Sequence, residues 1–427
     1  MLYRCCYFSK GVNSFKRIAF FVIAMIVSNG LMSQSKPTAA KPKPATSESA
    51  KVEKTPESSV GTVAAADSSM LPAGEVVLAT DTVFSVQEKL MGHTSSTESL
   101  AISPDGKWLA TGSWDRKILL YAIDSMGGFK LTKTFTGHNG AVTCLTFDAA
   151  STLLASGSKD FSLRVVNILD GSLVFQTMDH RDAITAVEFE ATGKFVLTAS
   201  MDGTIRLYDI ANPTNNQKPR LYTYGKPVND LLTAPNGKTF FVANNGNNNV
   251  ESIDFTGKVY QTFTGIHTMP VNCLGLSNNK KMLVTGGNDK SVVIWDIATG
   301  KPLKTLLGHT WKVNSVSFSK NDQYLVSTGN DGEIRVWDVN TGACVSVQKN
   351  LISTAKEAKF TPNNKLMLVA GKMSAQGATF GAIVYRTPPI WTKAKPTPVK
   401  PAPVKSRSEE HTSELLSHHD LVCRLLL

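Results

Sequence analysis

Five histidines in this 427-residue chain each stand 22 residues ahead of an aspartate: His93 and Asp115, His138 and Asp160, His180 and Asp202, His267 and Asp289, His309 and Asp331. A hydroxyl residue accompanies each pair, at Thr111, Ser156, Thr198, Thr285 and Ser327. An imidazole between a carboxylate and a hydroxyl is the arrangement that makes a histidine a general base for a nucleophile. Five copies at one fixed offset point elsewhere. A buried imidazole is costly unless both nitrogens find partners, and a turn aspartate with a strand hydroxyl supplies them wherever the ring sits. All five histidines outside the C-terminal tail are used by this pattern, as are the aspartates. No GxSxG, Walker-type glycine loop, HExxH or CxxC is present, so the chain is expected to be no enzyme, with no cofactor and no metal. The six cysteines form no framework: Cys5, Cys6 and Cys423 lie near the ends, while Cys144, Cys273 and Cys344 fall in predicted strands as free thiols.

The elements that must hold these residues follow from their spacing. The aspartates lie 45, 42, 87 and 42 residues apart, and the 87 splits into 45 and 42 if Asn247 fills the missing place. Each unit runs alike: a Gly-His or Asp-His turn, a strand such as AVTCLTF, a turn of the SPDGK kind, a second strand such as WLATGS, the aspartate turn, a third strand such as EIRVWD, and a fourth. Four short strands in 40 to 45 residues, with Gly-His followed by Trp295-Asp296 and Trp337-Asp338, resemble the WD-repeat β-propeller family over residues 81–386.

That resemblance implies an all-β, seven-bladed propeller whose blades are tied by a hydrogen-bonded set of His, Ser or Thr, Asp and Trp. Matched by position, the full sets are His267, Thr285, Asp289, Trp295 and His309, Ser327, Asp331, Trp337. Tyr replaces Trp in His93, Thr111, Asp115, Tyr121 and in His180, Thr198, Asp202, Tyr208. Blade two keeps His138, Ser156 and Asp160 but has Val166, and blade four, with Gly225, Ala243, Asn247 and Ile253, has lost all four, so these two are expected to be the softer. A degenerate seventh unit follows, and the early strand TVFSVQEKL is expected to complete the last blade and remove the open sheet edges. The resemblance also implies protein partners docked on the face that carries the His and Asp turns. The residues flanking those turns are Trp114, Arg116, Lys159, Phe161, Met201, Lys290 and Trp311, and aromatic and Arg side chains are the usual interface anchors. The competing reading is a propeller enzyme or carbohydrate-binding module that uses the central channel.

The ends differ in character. Lys16-Arg17 followed by the apolar run Ile18 to Val27 has the order of a signal peptide, which gives a leader at 1–33 and a secreted or periplasmic protein; the alternative is a membrane anchor at 18–32. The one Asn-x-Ser/Thr sequon, at Asn212, is disqualified by Pro213, which favours a bacterial host over a glycosylated ectodomain. Residues 34–80 and 387–406 are Lys/Pro-rich linkers too poor in apolar area to fold. Residues 407–427 resemble translated sequencing-library adapter, with Leu416 departing from it, so His411, His418 and His419 are set aside. Of the net charge of +11 the interior, holding 30 basic and 25 acidic side chains, keeps a surplus of five spread over its whole length, which argues against nucleic acid as the partner, and the expectation is of other proteins bound by a monomeric propeller.

Overall fold

Runs of six or so residues rich in Val, Ile, Leu and Phe, each bounded by Asp, Asn and Gly turns, dictate strands here because branched and aromatic side chains pack well on a pleated surface. The computed structural model describes residues 84–389 apart from 191, 213, 215–218, 351 and 374–379. Within them lie seven four-stranded antiparallel sheets, six of them in chain order from an inner to an outer strand. Blade one comprises Thr97–Ile102, Trp108–Ser113, Ile118–Ile123 and Phe129–Phe135; blades two to six span 142–177, 184–223, 228–263, 271–306 and 313–348. Blade seven takes three strands from the end of the chain, Ile352–Phe360, Leu366–Met373 and Phe380–Arg386, and its fourth, Ser85–His93, from the beginning. That last pairing runs from Ser85 opposite Arg386 to His93 opposite Phe380 and closes the ring.

The burial gradient across a blade follows from the packing of blade on blade. Second strands such as Leu153–Ser158 and Phe195–Ser200 are buried along almost their whole length because neighbours cover both faces. Outer strands such as Phe129–Phe135 are mostly exposed. The apolar core is accordingly a set of wedges between consecutive blades. One joins Phe241 and Phe263 of blade four to Leu274 and Trp295 of blade five, and another joins Leu368 and Val384 of blade seven to Leu100 and Leu109 of blade one.

The expected leader at 1–33, the 34–80 linker, most of 387–406 and the 407–427 tail lie outside the described residues. Among the described residues no helix is long and apolar enough to cross a membrane.

Candidate functional site

The histidines sit where one blade hands over to the next. His309 follows the outer strand Pro302–Leu306 of blade five and reaches into blade six, with Nε2 2.8 Å from Ser327 Oγ and Nδ1 3.0 Å from Asp331 Oδ2. Trp337 Nε1–H donates to the same Ser327 Oγ at 2.8 Å. The backbone N–H groups of Thr310 and Glu333 donate to Asp331 at 2.8 and 3.0 Å. A neutral imidazole with its proton on Nδ1 satisfies every group: Nδ1–H donates to the carboxylate and Nε2 accepts the serine proton. Blade five repeats the set, with His267 2.7 Å from Thr285, 3.0 Å from Asp289, and Trp295 2.9 Å from Thr285. In blades one to three the hydroxyl lies 2.9, 2.8 and 2.7 Å from Nε2, at Thr111, Ser156 and Thr198. The carboxylate lies 2.9, 3.3 and 3.0 Å from Nδ1, at Asp115, Asp160 and Asp202.

The connectivity is that of a serine hydrolase triad, but a nucleophile must meet its substrate. Ser327 is fully buried and its oxygen already carries an indole N–H. Burial holds the His93 and His180 imidazoles below their ordinary pKa and so neutral. Burial also tends to raise the turn aspartates, but histidine, hydroxyl and backbone donors outweigh it and hold Asp202, Asp289 and Asp331 at about 2. The sets are therefore clamps between blades, their aspartates ionised and the His93 and His180 rings neutral at neutral pH.

Three partners were not read from the sequence. Ser162, Thr204 and Ser291 place a hydroxyl 2.9, 3.2 and 3.1 Å from Nδ1 of His138, His180 and His267. Their signal is a hydroxyl residue two places after the turn aspartate. The tyrosines differ from the tryptophans they replace: Tyr121 turns its hydroxyl to the Met91 carbonyl, 3.5 Å away, and Tyr208 packs on Phe175 with ring centroids 5.6 Å apart. Blade four, stripped of the usual set, has another. Tyr224 donates to Glu251, and Asn244 Nδ2 reaches Tyr224 Oη at 2.9 Å and Asn247 Oδ1 at 3.0 Å. Tyr224 and Asn244 stand one residue from Gly225 and Ala243, the positions at which the sequence pattern looked for partners.

The aspartate turns and histidine loops share one face. The residue before each aspartate bonds through its N–H to the histidine loop, Trp114 to Ser96 at 3.0 Å, Lys159 to Ala141 and Met201 to Ala183 both at 2.9 Å. In blades five and six the side chain at this place, Asn288 or Asn330, is tied to Asn272 or Asn314 at 2.9 and 2.8 Å. In blades one and two it is Trp114, 46% exposed, with Lys159 Nζ 3.9 Å above its ring; in blade three Met201 is half-buried. The residue after the aspartate has left-handed backbone in all five turns: Gly203 and Gly332, but also Arg116 (φ 69°), Phe161 (φ 69°) and Lys290 (φ 71°). Phe161 is 38% and Trp311 61% exposed, and Arg116 and Lys290 face solvent.

The inner strands enclose a channel of about 680 Å³. Its polar side chains are largely spent on joining blades. Thr185 donates to the Val228 carbonyl at 2.8 Å, Asn229 to Val271 at 2.7 Å, Asn272 to Val313 at 3.0 Å and Asn314 to Ala355 at 2.7 Å. The junction of blades seven and one carries an ion pair instead, Lys356 to Glu98 at 3.2 Å. Asp230 and Glu357 accept the N–H groups of Leu274 and Leu100 at 2.8 and 2.7 Å. Burial pushes Asp230 and Glu188 up to about 7, with Lys359 offsetting part of the effect. Among the described residues His309, Asp331 and Glu333 bring three ligand atoms within 4.8 Å of one another. Arg335 and Lys349 neutralise Glu333 at 2.6 and 2.5 Å, and the other two are bonded to each other, so the cluster does not fit a cation.

Five segments, 84–121, 129–167, 171–209, 257–296 and 300–338, match the family model described as WD domain, G-beta repeat. They are the segments with a His–Asp clamp; the first three strands of blade four and the C-terminal strands of blade seven fall outside them. The chain is 36% identical over 76 residues to a poly(A)+ RNA export protein of Schizosaccharomyces pombe, covering 18% of this chain and 21% of that one. It is 32% identical over 91 residues to ribosomal RNA-processing protein 9 of Saccharomyces cerevisiae, covering 21% and 16%. It is 31% identical over 96 residues to COMPASS component SWD3 of the same yeast, covering 22% and 29%. The chain thus spans less than a third of the length of each of these relatives. The expectation of a secreted or periplasmic bacterial protein is corrected by them. They are eukaryotic proteins named for RNA export, RNA processing and the COMPASS assembly, which does not fit secretion. The basic-then-apolar order at the N-terminus is a pattern of composition over some dozen residues, too short to outweigh relatives matched through the folded repeats.

Proposed function

We propose that this chain, a WD-repeat β-propeller by its matched repeats and its seven blades, is a non-catalytic scaffold that binds partner proteins on the face of the His and Asp turns. The observation that carries this reading is the left-handed backbone at Arg116, Phe161 and Lys290. A side chain other than Gly or Asn costs of order 1 kcal/mol there, and strain of this kind gathers at functional positions. Glycine serves the same place in blades three and six. Blades one, two and five instead carry large cationic or aromatic groups that belong to no clamp and stand in solvent, the residue types that anchor interfaces. The relatives' names, a COMPASS component among them, agree with work inside protein assemblies. A reaction in the channel finds less support, since its carboxylates Asp230 and Glu357 hold backbone N–H groups of neighbouring blades.

The triple change Trp114→Ala, Arg116→Ala and Phe161→Ala tests the reading by affinity capture from the source organism. Partners held by the wild type should be lost from the variant, at least one position costing about 2 kcal/mol or more, while the melting temperature holds. Equal recovery of every partner by both proteins removes this face from consideration.

A further inference from the structure

On the turn face the charges of blades one and two are unequal in sign and in access. Arg116 and Lys159 are exposed, and Lys117 and Arg164 are half-buried beside them. The carboxylates of this region point inward: the Asp115 and Asp160 side chains are 4% and 9% exposed, and their oxygens take the Thr94 and Asn139 N–H groups besides the histidines. Glu98, at the channel mouth, is held by Lys356. A molecule arriving on these two blades therefore meets cationic donors. Arg164 already spends one of its donors on Gln176 at 2.8 Å, whereas Arg116 is exposed to solvent. Two exposed apolar surfaces accompany the cations, the Trp114 indole beneath Lys159 and the Phe161 ring two residues beyond Lys159 in the blade-two turn.

We propose that blades one and two bind a short acidic peptide segment of a partner protein, in which carboxylate side chains flank one bulky apolar residue. The apolar residue packs against Trp114 and Phe161 and the carboxylates meet Arg116 and Lys159, where charge-assisted hydrogen bonds are shorter and stronger than neutral ones. This rests on the reading of the turn face as the docking site and adds the chemistry of what docks. One observation favours a peptide over a nucleic acid. Blade three, next along the ring, exposes Asp179 and Asp182 around a single exposed Arg181, a net negative stretch that repels a polyanion continuing past the patch but leaves room for a segment of a few residues. The chain's own 387–406 segment, with four lysines and no acidic side chain, carries the wrong sign to occupy the site.

A random 12-residue peptide library displayed on phage and selected on the full chain tests the proposal, with recovered peptides remeasured by fluorescence anisotropy at low and high salt. The expected pool is rich in Asp and Glu around a Leu, Phe or Trp, and its affinity falls at least tenfold in Lys159→Ala, in Arg116→Ala and in Trp114→Ala. Selection on Lys159→Glu should shift the pool toward Lys and Arg. Neutral or basic peptides lost on Trp114→Ala overturn the acidic preference while leaving the turn face as the docking site. Peptides indifferent to all three alanine variants, or no peptides, overturn both. Tighter binding of an oligo(dT) strand than of any recovered peptide, lost in the same variants, overturns the peptide in favour of nucleic acid. Because each changed side chain is exposed and outside the clamps, an unchanged melting temperature is the control for folding.

Discussion

Blades one and six make the same aspartate turn and finish it in opposite ways. In blade six the residue after the aspartate is Gly332, and a Cβ there would lie 2.4 Å from the Ile352 carbonyl oxygen, so the loop leading into the next blade covers the turn. The residue before it, Asn330, is bonded to Asn314. In blade one the corresponding places hold Arg116 in strained backbone and Trp114, nearly half of it in solvent. One hydrogen-bonded turn thus ends as a sealed joint in one blade and as an open platform in another. The clamp makes the platform possible: with the turn fixed from within by His93 and Thr111, the outward side chains are released from any duty to the fold.

The largest effect should come from the sealed side. Asp331→Ala leaves the His309 Nδ1–H and two backbone N–H groups without their acceptor and is expected to lower stability by about 1 to 3 kcal/mol, read from urea midpoints, whereas Trp114→Ala should stay within about 0.5 kcal/mol. Equal losses would erase the distinction between joint and platform. A smaller effect of opposite sign is expected on the open side. Arg116→Gly removes left-handed strain at the cost of a more flexible unfolded chain, so stability should hold or rise by up to about 1 kcal/mol while partner binding falls. A substantial loss of stability would show that the arginine serves the fold.

A third effect is spread over pH and concerns the channel. Burial raises Glu188 to about 7 in the folded protein, well above its value of about 4.3 in an unfolded chain. Between those values the folded state holds the extra proton, so this group's contribution is most favourable below about pH 4 and is lost as pH rises toward 7. Glu188→Gln removes that slope. Measured by denaturant midpoint, the wild type should fall behind the variant progressively from pH 4 to 7 and run parallel to it above. The turn aspartates act the other way: held at about 2, Asp202, Asp289 and Asp331 stabilise above pH 4 and give that up as pH falls toward 2.

What the sequence revealed follows the physics of repetition. The offset between His309 and Asp331 recurs in four other units, so a weak local signal becomes a strong one, and with it came seven sheets and the closing strand. The substitute network of blade four was missed because Tyr224, Asn244 and Glu251 occur in this combination once and stand one or two residues from the expected places. The Asn and Thr side chains that bridge inner strands, such as Asn229 to Val271, were illegible for another reason: they bond to backbone carbonyls of the next blade, and a carbonyl has no sequence signature. Trp114 and Phe161 were legible as flanks of a turn, but the strained backbone under Phe161 and the lysine above Trp114 are tertiary facts.

The closing strand also sets a schedule. Gln87 and Arg386, which meet across the last blade, are 299 residues apart in the chain. At a synthesis rate of about 5 to 20 residues per second, the first strand waits on the order of 15 to 60 s for the strand that will cover its edge. During that interval Leu90 and its neighbours have no sheet to join, and each completed blade leaves one wedge of core uncovered until the next arrives. The nascent propeller is therefore at its most adhesive just before its ring closes. Its dependence on chaperones should be concentrated at the ribosome, in the seconds before Phe380–Arg386 emerges and the ring shuts.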